Sequence, residues 1–174
     1  MKTAEVYADA FYSLAKESGK EKKLLLELKY ILNILEQCPQ YEKILDSPRI
    51  RRGVLTKILD EDFKELIDGY TLNLLKILSN ERLICRTDEC VKRYEQNYNA
   101  DHNIRVVRVT TAKPLDAGIE KRLIQKLTKK FGGEIVIKKL VNPDCIGGII
   151  IQSDGITTDA SIKSKLNDIR RALA

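Results

Sequence analysis

Tyr94-Glu95-Gln96-Asn97-Tyr98-Asn99-Ala100-Asp101-His102-Asn103-Ile104-Arg105-Val106-Val107-Arg108-Val109-Thr110-Thr111 joins two kinds of text. Before it, apolar residues recur every three or four positions, the period of helices. After Asn103 the chain becomes β-branched and loosely alternating, as strands are. The polar junction Ala100 to Asn103 predicts a division into residues 1–103, a helical bundle, and residues 104–174, a small α+β domain.

Backwards from the junction the helical text resolves into six pieces. The first runs from about Thr3 to Glu17 and stops at Gly19. The second carries Leu24, Leu28, Ile31, Leu32 and Leu35 and fails before Pro39. A short turn, Tyr41 to Leu45, leads to Ser47-Pro48. The fourth carries Val54, Leu55, Ile58 and Leu59; the fifth carries Phe63, Leu66, Ile67, Tyr70, Leu74, Ile77 and Leu78. The sixth starts near Leu83 and carries Cys90, Val91, Tyr94 and Tyr98. Connections this short force sequence neighbours to pack together, which predicts a six-helix bundle. Forwards from the junction, Ile104 to Thr111 reads as a strand. Asp116 caps a helix striped by Ile119, Leu123, Ile124, Leu127 and Phe131 and stopped by Gly132-Gly133. Glu134 to Val141 and Cys145 to Gln152 read as strands joined by the turn Asn142-Pro143-Asp144, and Ser153-Asp154-Gly155 turns the chain again. A closing helix lines up Ile162, Leu166, Ile169 and Leu173. The fold class is mostly α with a smaller α+β part.

At 174 residues, 43% hydrophobic and 32% charged, the chain is a globular protein and neither a disordered tail nor a membrane span. Its longest uncharged apolar stretch, around Ile146 to Ile151, falls far short of the roughly 18 residues a crossing helix needs. Met1 leads directly into helical text, which predicts a cytosolic chain, neither exported nor imported. The net charge of +6 is unevenly placed: 17 basic against 18 acidic residues up to His102, then 14 against 7 from Asn103 onward. Two units with different partners follow from that asymmetry. Cys38, Cys85, Cys90 and Cys145 form no CxxC pair and lie in apolar contexts, which predicts buried free thiols.

An active site needs converging groups, and the sequence offers few. His102 is the sole histidine, so neither a metal site nor a histidine-assisted nucleophile is predicted. Gly132-Gly133 and Gly147-Gly148 match no phosphate-loop pattern. The first pair reads as a helix stop; the second, inside an apolar strand, reads as a bulge or a close approach by another backbone. No catalytic residue, cofactor or metal is predicted.

Binding has more support. On the first helix Val6, Ala10 and Leu14 make one stripe, while Tyr7, Ala8, Phe11, Tyr12 and Ala15 spread around the rest. On the fifth, Phe63, Ile67, Tyr70, Leu74 and Ile77 serve one side and leave Leu72 and Leu75 on another. A helix that only covers a core needs one stripe. Two neighbours with surplus apolar surface would form a groove for an amphipathic partner helix, with Tyr7, Ala8, Phe11, Leu72 and Leu75 as its predicted contacts. The basic C-terminal part supports a rival. Lys121, Arg122, Lys126, Lys129, Lys130, Lys138, Lys139, Lys163, Lys165, Arg170 and Arg171 would suit a basic RNA-binding or ribosome-associated protein. That unit holds only one aromatic, Phe131, on a core stripe, so it lacks a base-stacking platform. The charge is better matched to an acidic protein surface or to solvent, and no nucleic acid is expected.

Three segments taken in order resemble the delta-subunit family of F-type ATP synthases, which includes the mitochondrial oligomycin-sensitivity-conferring protein. They are Tyr7-Ala8-Asp9-Ala10-Phe11-Tyr12-Ser13-Leu14-Ala15; Leu74 to Leu83 with Asn80 and Arg82; and Asp144-Cys145-Ile146-Gly147-Gly148-Ile149-Ile150-Ile151 followed by Asp159 to Leu166 with Ser161. The last is the most specific. Ala160 stands where the family usually has glycine, and Thr157-Thr158 replaces a more apolar pair. The resemblance implies a non-catalytic stator subunit of the proton-translocating synthase, peripheral at the cytoplasmic face of a bacterial plasma membrane. It further implies a six-helix domain that binds the N-terminal helix of an alpha subunit between its first and fifth helices, and a C-terminal domain on b-type stalk subunits. Asp159 and Ser161 are read as helix-start residues, and Gly147 and Gly148 as backbone-geometry residues.

Overall fold

A computed structural model describes residues 4–114, 116–153, 156–164 and 166. They are mostly helical with one small sheet, and the chain splits into two compact units, Met1–Tyr98 and Asn99–Ala174.

The first unit contains α1 (Ala4–Ser18), α2 (Glu21–Gln37), α3 (Pro39–Leu45), α4 (Arg52–Phe63), α5 (Gly69–Asn80), a 3-10 turn (Ile84–Arg86) and most of α6 (Thr87–Asp101). Gly19, at φ +63°, lets the chain leave α1 with the Lys20 amide donating back to the Ala15 carbonyl (3.1 Å). Pro39 occupies the first turn of α3, where its missing N–H costs nothing. Phe63 ends α4 and does not open α5; Leu66 and Ile67 lie in a turn whose amides both donate to the Phe63 carbonyl. The apolar period runs unbroken through that turn, which is why spacing alone assigns Phe63 to the helix that follows. The break is made by Asp68, which caps α5 by accepting from the Tyr70 amide (3.3 Å).

The core of this unit is filled by Leu24, Leu28, Ile31 and Leu35 of α2, Leu55, Leu59 and Phe63 of α4, and Leu72, Leu75 and Leu78 of α5. Each such burial contributes about 1.5–3 kcal/mol before chain entropy is charged against it. Tyr94 of α6 is wholly buried against Phe11 (ring centroids 5.6 Å apart) and edge-on to Tyr12 (5.2 Å), and its hydroxyl donates to the Glu21 carbonyl (3.0 Å). Burial pushes that hydroxyl's pKa up. Arg82, in the left-handed region at φ 60°, follows α5 and donates its guanidinium to the Ser47 and Ile50 carbonyls, which anchors the α3–α4 loop. Asn80, in the last turn of α5, has a buried Oδ1 with no hydrogen-bond partner among the described residues.

The thiols depart from expectation: Cys90 and Cys145 are buried, but Cys38 and Cys85 are exposed, and all four are free. Burial pushes the Cys90 thiol up to about 12. Cys85 donates to the Asp46 carboxylate (2.9 Å), which pushes it up to about 11. Apolar neighbours in sequence do not bury a residue that caps or leaves a helix.

The second unit contains β1 (Ile104–Thr111), α7 (Ala117–Phe131), β2 (Glu134–Val141), a 3-10 turn (Pro143–Cys145), β3 (Ile149–Ser153) and β4 (Ile156–Asp159). The sheet order is β2-β1-β3-β4, with β1 parallel to β2 across α7 and the other pairs antiparallel. Val107 pairs with Ile137 and Val109 with Ile151, so one face gathers Val107, Val109, Ile135, Ile137, Ile149 and Ile151 against Leu123 and Leu127 of α7. Ile119, expected on that stripe, is exposed.

β3 begins at Ile149 and not at Cys145, and β4 was not foreseen. Gly148 stands at φ +83°, outside the strand region, so the Gly147-Gly148 pair precedes the strand. A Cβ on Gly148 would lie 2.4 Å from the Ala160 carbonyl oxygen and 2.9 Å from the Ser161 Cα. That crossing is locked by the Ala160 amide donating to Ile149 (2.9 Å) and the Ile162 amide donating to Gly147 (3.0 Å). Asp159 Oδ1 accepts from the Ser161 amide (2.8 Å) and Ser161 Oγ from the Ser164 amide (3.2 Å), so both open the closing helix. The Ser161 amide first, then the Ser161 and Ser164 hydroxyls, holds the Asp159 carboxyl below its ordinary range. Ile162, Lys163, Ser164 and Leu166 are helical; Lys165, Ile169, Arg170, Arg171 and Leu173 lie outside the described residues. Gly148→Ala is expected to destabilise the second unit by at least about 2 kcal/mol, seen as lost amide-exchange protection in β3. Gly147→Ala, whose Cβ would meet only the end of the flexible Ile162 side chain, should cost less.

Candidate partner-binding groove

α1 and α5 pack so that the end of one lies beside the start of the other, with the Lys20 ammonium 5.3 Å from the Tyr70 ring. Between them runs an open groove of about 200 Å³, lined by Tyr7, Ala10, Phe11 and Leu14 from α1 and by Tyr70, Asn73, Leu74 and Ile77 from α5. Each wall covers two helical turns, about 10 Å. Leu14 is 39% exposed, Tyr70 38% and Ile77 43%, so the groove offers large apolar side chains to its surroundings.

Of the five expected contacts, Tyr7 and Phe11 line this groove, with Phe11 also buried in the core. Ala8, Leu72 and Leu75 do not: all three are buried in the bundle. On α5 the inward and outward faces are the reverse of those expected. α1 turns three of its four alanines inward (Ala4, Ala8, Ala15) with Phe11 and Tyr12, and leaves Val6, Ala10 and Leu14 outside. Small residues let helices approach closely, so the alanine side is the one that packs. α5 turns Thr71, Leu72, Leu75 and Leu78 inward and leaves Tyr70 and Ile77 outside. Asn73, on the Tyr70–Ile77 arc, is the sequence signal that this arc is the wetter one.

Polar contacts fix the rotation of both walls. Asp9 of α1 accepts from Arg93 of α6 through both oxygens (2.7 and 3.1 Å) and from Asn97 (2.7 Å). The Arg93 bond first, then Asn97, holds the Asp9 carboxyl below its usual range. At the other end, Asp68 accepts from Lys20 (2.9 Å) and Lys23 (3.0 Å), while Glu27 accepts from the Asp68 amide (3.0 Å) and the Thr71 hydroxyl (2.6 Å). Lys20 foremost, then Lys23 and the Tyr70 amide, holds the Asp68 carboxyl well below the carboxylate range. Its folded pKa is depressed, so its contribution is complete above the ordinary value near 4 and fades as pH falls through the folded value. Asp68→Asn keeps the cap but drops both ion pairs. It should lower Tm by a few degrees at pH 7, and the gap to the native chain should narrow below about pH 4 in a melting series.

A second hollow, of about 490 Å³, lies in the other unit between the Thr111–Pro114 loop, Ile119 and Ile146–Ile149. Among the described residues no group of three His, Cys, Asp or Glu side chains could hold a metal ion, and no helix is long and apolar enough to cross a membrane.

The sequence profile of the family described as ATP synthase delta (OSCP) subunit matches residues 3–173. A curated relative from Clostridium kluyveri, ATP synthase subunit delta, is 30% identical over 96% of this chain and 92% of its own length. One of the same name from Clostridium botulinum is 29% identical over 96% and 93%. In fold, the chain is similar to one in the Toxoplasma gondii mitochondrial ATP synthase hexamer, at a TM-score of 0.73 and 19% identity, covering 99% of this chain and 98% of that one. Matched across nearly its whole length, the chain belongs to the ATP synthase delta (OSCP) subunit family.

Proposed function

We propose that the α1–α5 groove captures an amphipathic helix from the N-terminus of the ATP synthase alpha subunit, while the second unit engages b-type stalk subunits. As a delta (OSCP) family member the chain is a non-catalytic component of the peripheral stalk, which displaces the RNA-binding alternative. In this reading the six helices of the first unit act as one bundle seated on the catalytic head, at the cytoplasmic face of a bacterial plasma membrane. The hollow bounded by Ile119 and Ile146 is the place offered to the stalk. Rotor torque would drag the head around unless a tether held it; such a tether depends on buried area and slow dissociation and needs no reactive side chain.

The observation that carries the reading is the groove itself: Leu14, Tyr70 and Ile77 stand exposed on helices whose opposite faces already fill a core. An apolar stripe at i, i+3/i+4 and i+7 of a visiting helix matches two-turn walls. Calorimetric titration of the full chain with a synthetic peptide of the alpha subunit's N-terminal helix should give one saturable site whose affinity changes little with salt. Absence of binding, or a steep salt dependence, would overturn it.

A further inference from the structure

Asn73 is the one short polar side chain among the groove's lining residues. It sits at the middle of the α5 wall, one turn from Tyr70 on one side and from Ile77 on the other. It is exposed, and its amide makes no hydrogen bond among the described residues. A tyrosine in such a wall carries its hydroxyl at the tip of a long ring and can keep it in water at the rim. An asparagine amide sits one carbon beyond Cβ and is covered whenever the groove is covered. A covered amide without a partner loses its water and gains nothing in exchange. Among the described residues no ionised side chain lines the groove, so a charged group on the visitor would be equally unsatisfied there.

From this juxtaposition, and resting on the groove reading above, we infer that Asn73 sets the register and specificity of the captured helix. The visitor is a two-turn amphipathic helix with an uncharged apolar stripe, interrupted once by a hydrogen-bonding side chain (Asn, Gln, Ser or Thr) that meets the Asn73 amide. A helix slid by one turn puts an aliphatic group against that amide and is rejected. A single polar pair inside an apolar seam fixes coiled-coil register in the same way, at some expense of affinity.

The test is a double-mutant cycle on the full chain. Asn73→Leu, at an exposed helical site, should leave melting unchanged and weaken the native alpha-subunit peptide about 10-fold. Peptides in which each polar residue of the buried stripe is replaced by Leu in turn should show one position, and only one, where the change weakens binding to the native chain and restores it to Asn73→Leu. Native-peptide affinity unchanged or raised by Asn73→Leu, with no peptide position coupled to it, would overturn the inference. In that event, loss of binding by Ile77→Asp would show that the groove reading survives; unchanged binding by Ile77→Asp as well would sink both.

Discussion

Ile77→Asp is expected to weaken capture of the alpha-subunit helix by about 100-fold or more while the free chain melts as before. Ile77 is exposed in the groove wall and absent from the core cluster, so a carboxylate there is hydrated in the free chain. On binding, that carboxylate would have to shed water against an uncharged apolar stripe, and an unpaired buried charge costs at least the roughly 3 kcal/mol that a 100-fold change represents. Leu75→Asp, two residues earlier, is the contrasting control: Leu75 is buried in the core, and its replacement should unfold the unit. Peptide titration beside thermal melting separates the two outcomes. Full affinity in a folded Ile77→Asp chain would remove this groove as the docking place.

Tyr94→Ala should cost about 3–5 kcal/mol of stability, read as a fall in Tm of about 10 °C or more. The ring is wholly buried, contacts Phe11 and Tyr12 of α1, and supplies the Glu21 carbonyl with its hydrogen bond. Tyr94→Phe keeps the packing and forfeits only that bond, so it should cost about 1 kcal/mol. Because Phe11 both touches Tyr94 and lines the groove, Tyr94→Ala should also weaken peptide capture, whereas Tyr94→Phe should not. A Tyr94→Ala chain that binds at full strength would mean that the groove floor does not depend on α6.

The elements whose ends carry their own chemistry were legible. Gly19, Pro39 and Asp116 each announce a helix boundary, and the β-branched run after Asn103 announces β1. The position of the α4–α5 break was not, because Phe63, Ile67 and Tyr70 keep helical spacing through it while the cap at Asp68 is a local event. β4 escaped because Ile156-Thr157-Thr158-Asp159 carries too little apolar content to declare itself; its order comes from pairing with β3. In the groove, spacing revealed that α1 and α5 had two apolar faces but not which one was inside. That choice belongs to packing: the Ala8 side nests in the bundle, and the Leu72–Leu75 side fills it.

The tie between Asp9 and Arg93 spans 84 positions of sequence, and that from Asp9 to Asn97 spans 88. Both partners of the opening helix therefore leave the ribosome long after it does. A nascent chain released before residue 93 holds every lining side chain of the cleft yet lacks the clasp that orients one wall. On the groove reading, docking competence would be acquired only near completion of the first unit, and a prematurely terminated product would have no seat to offer.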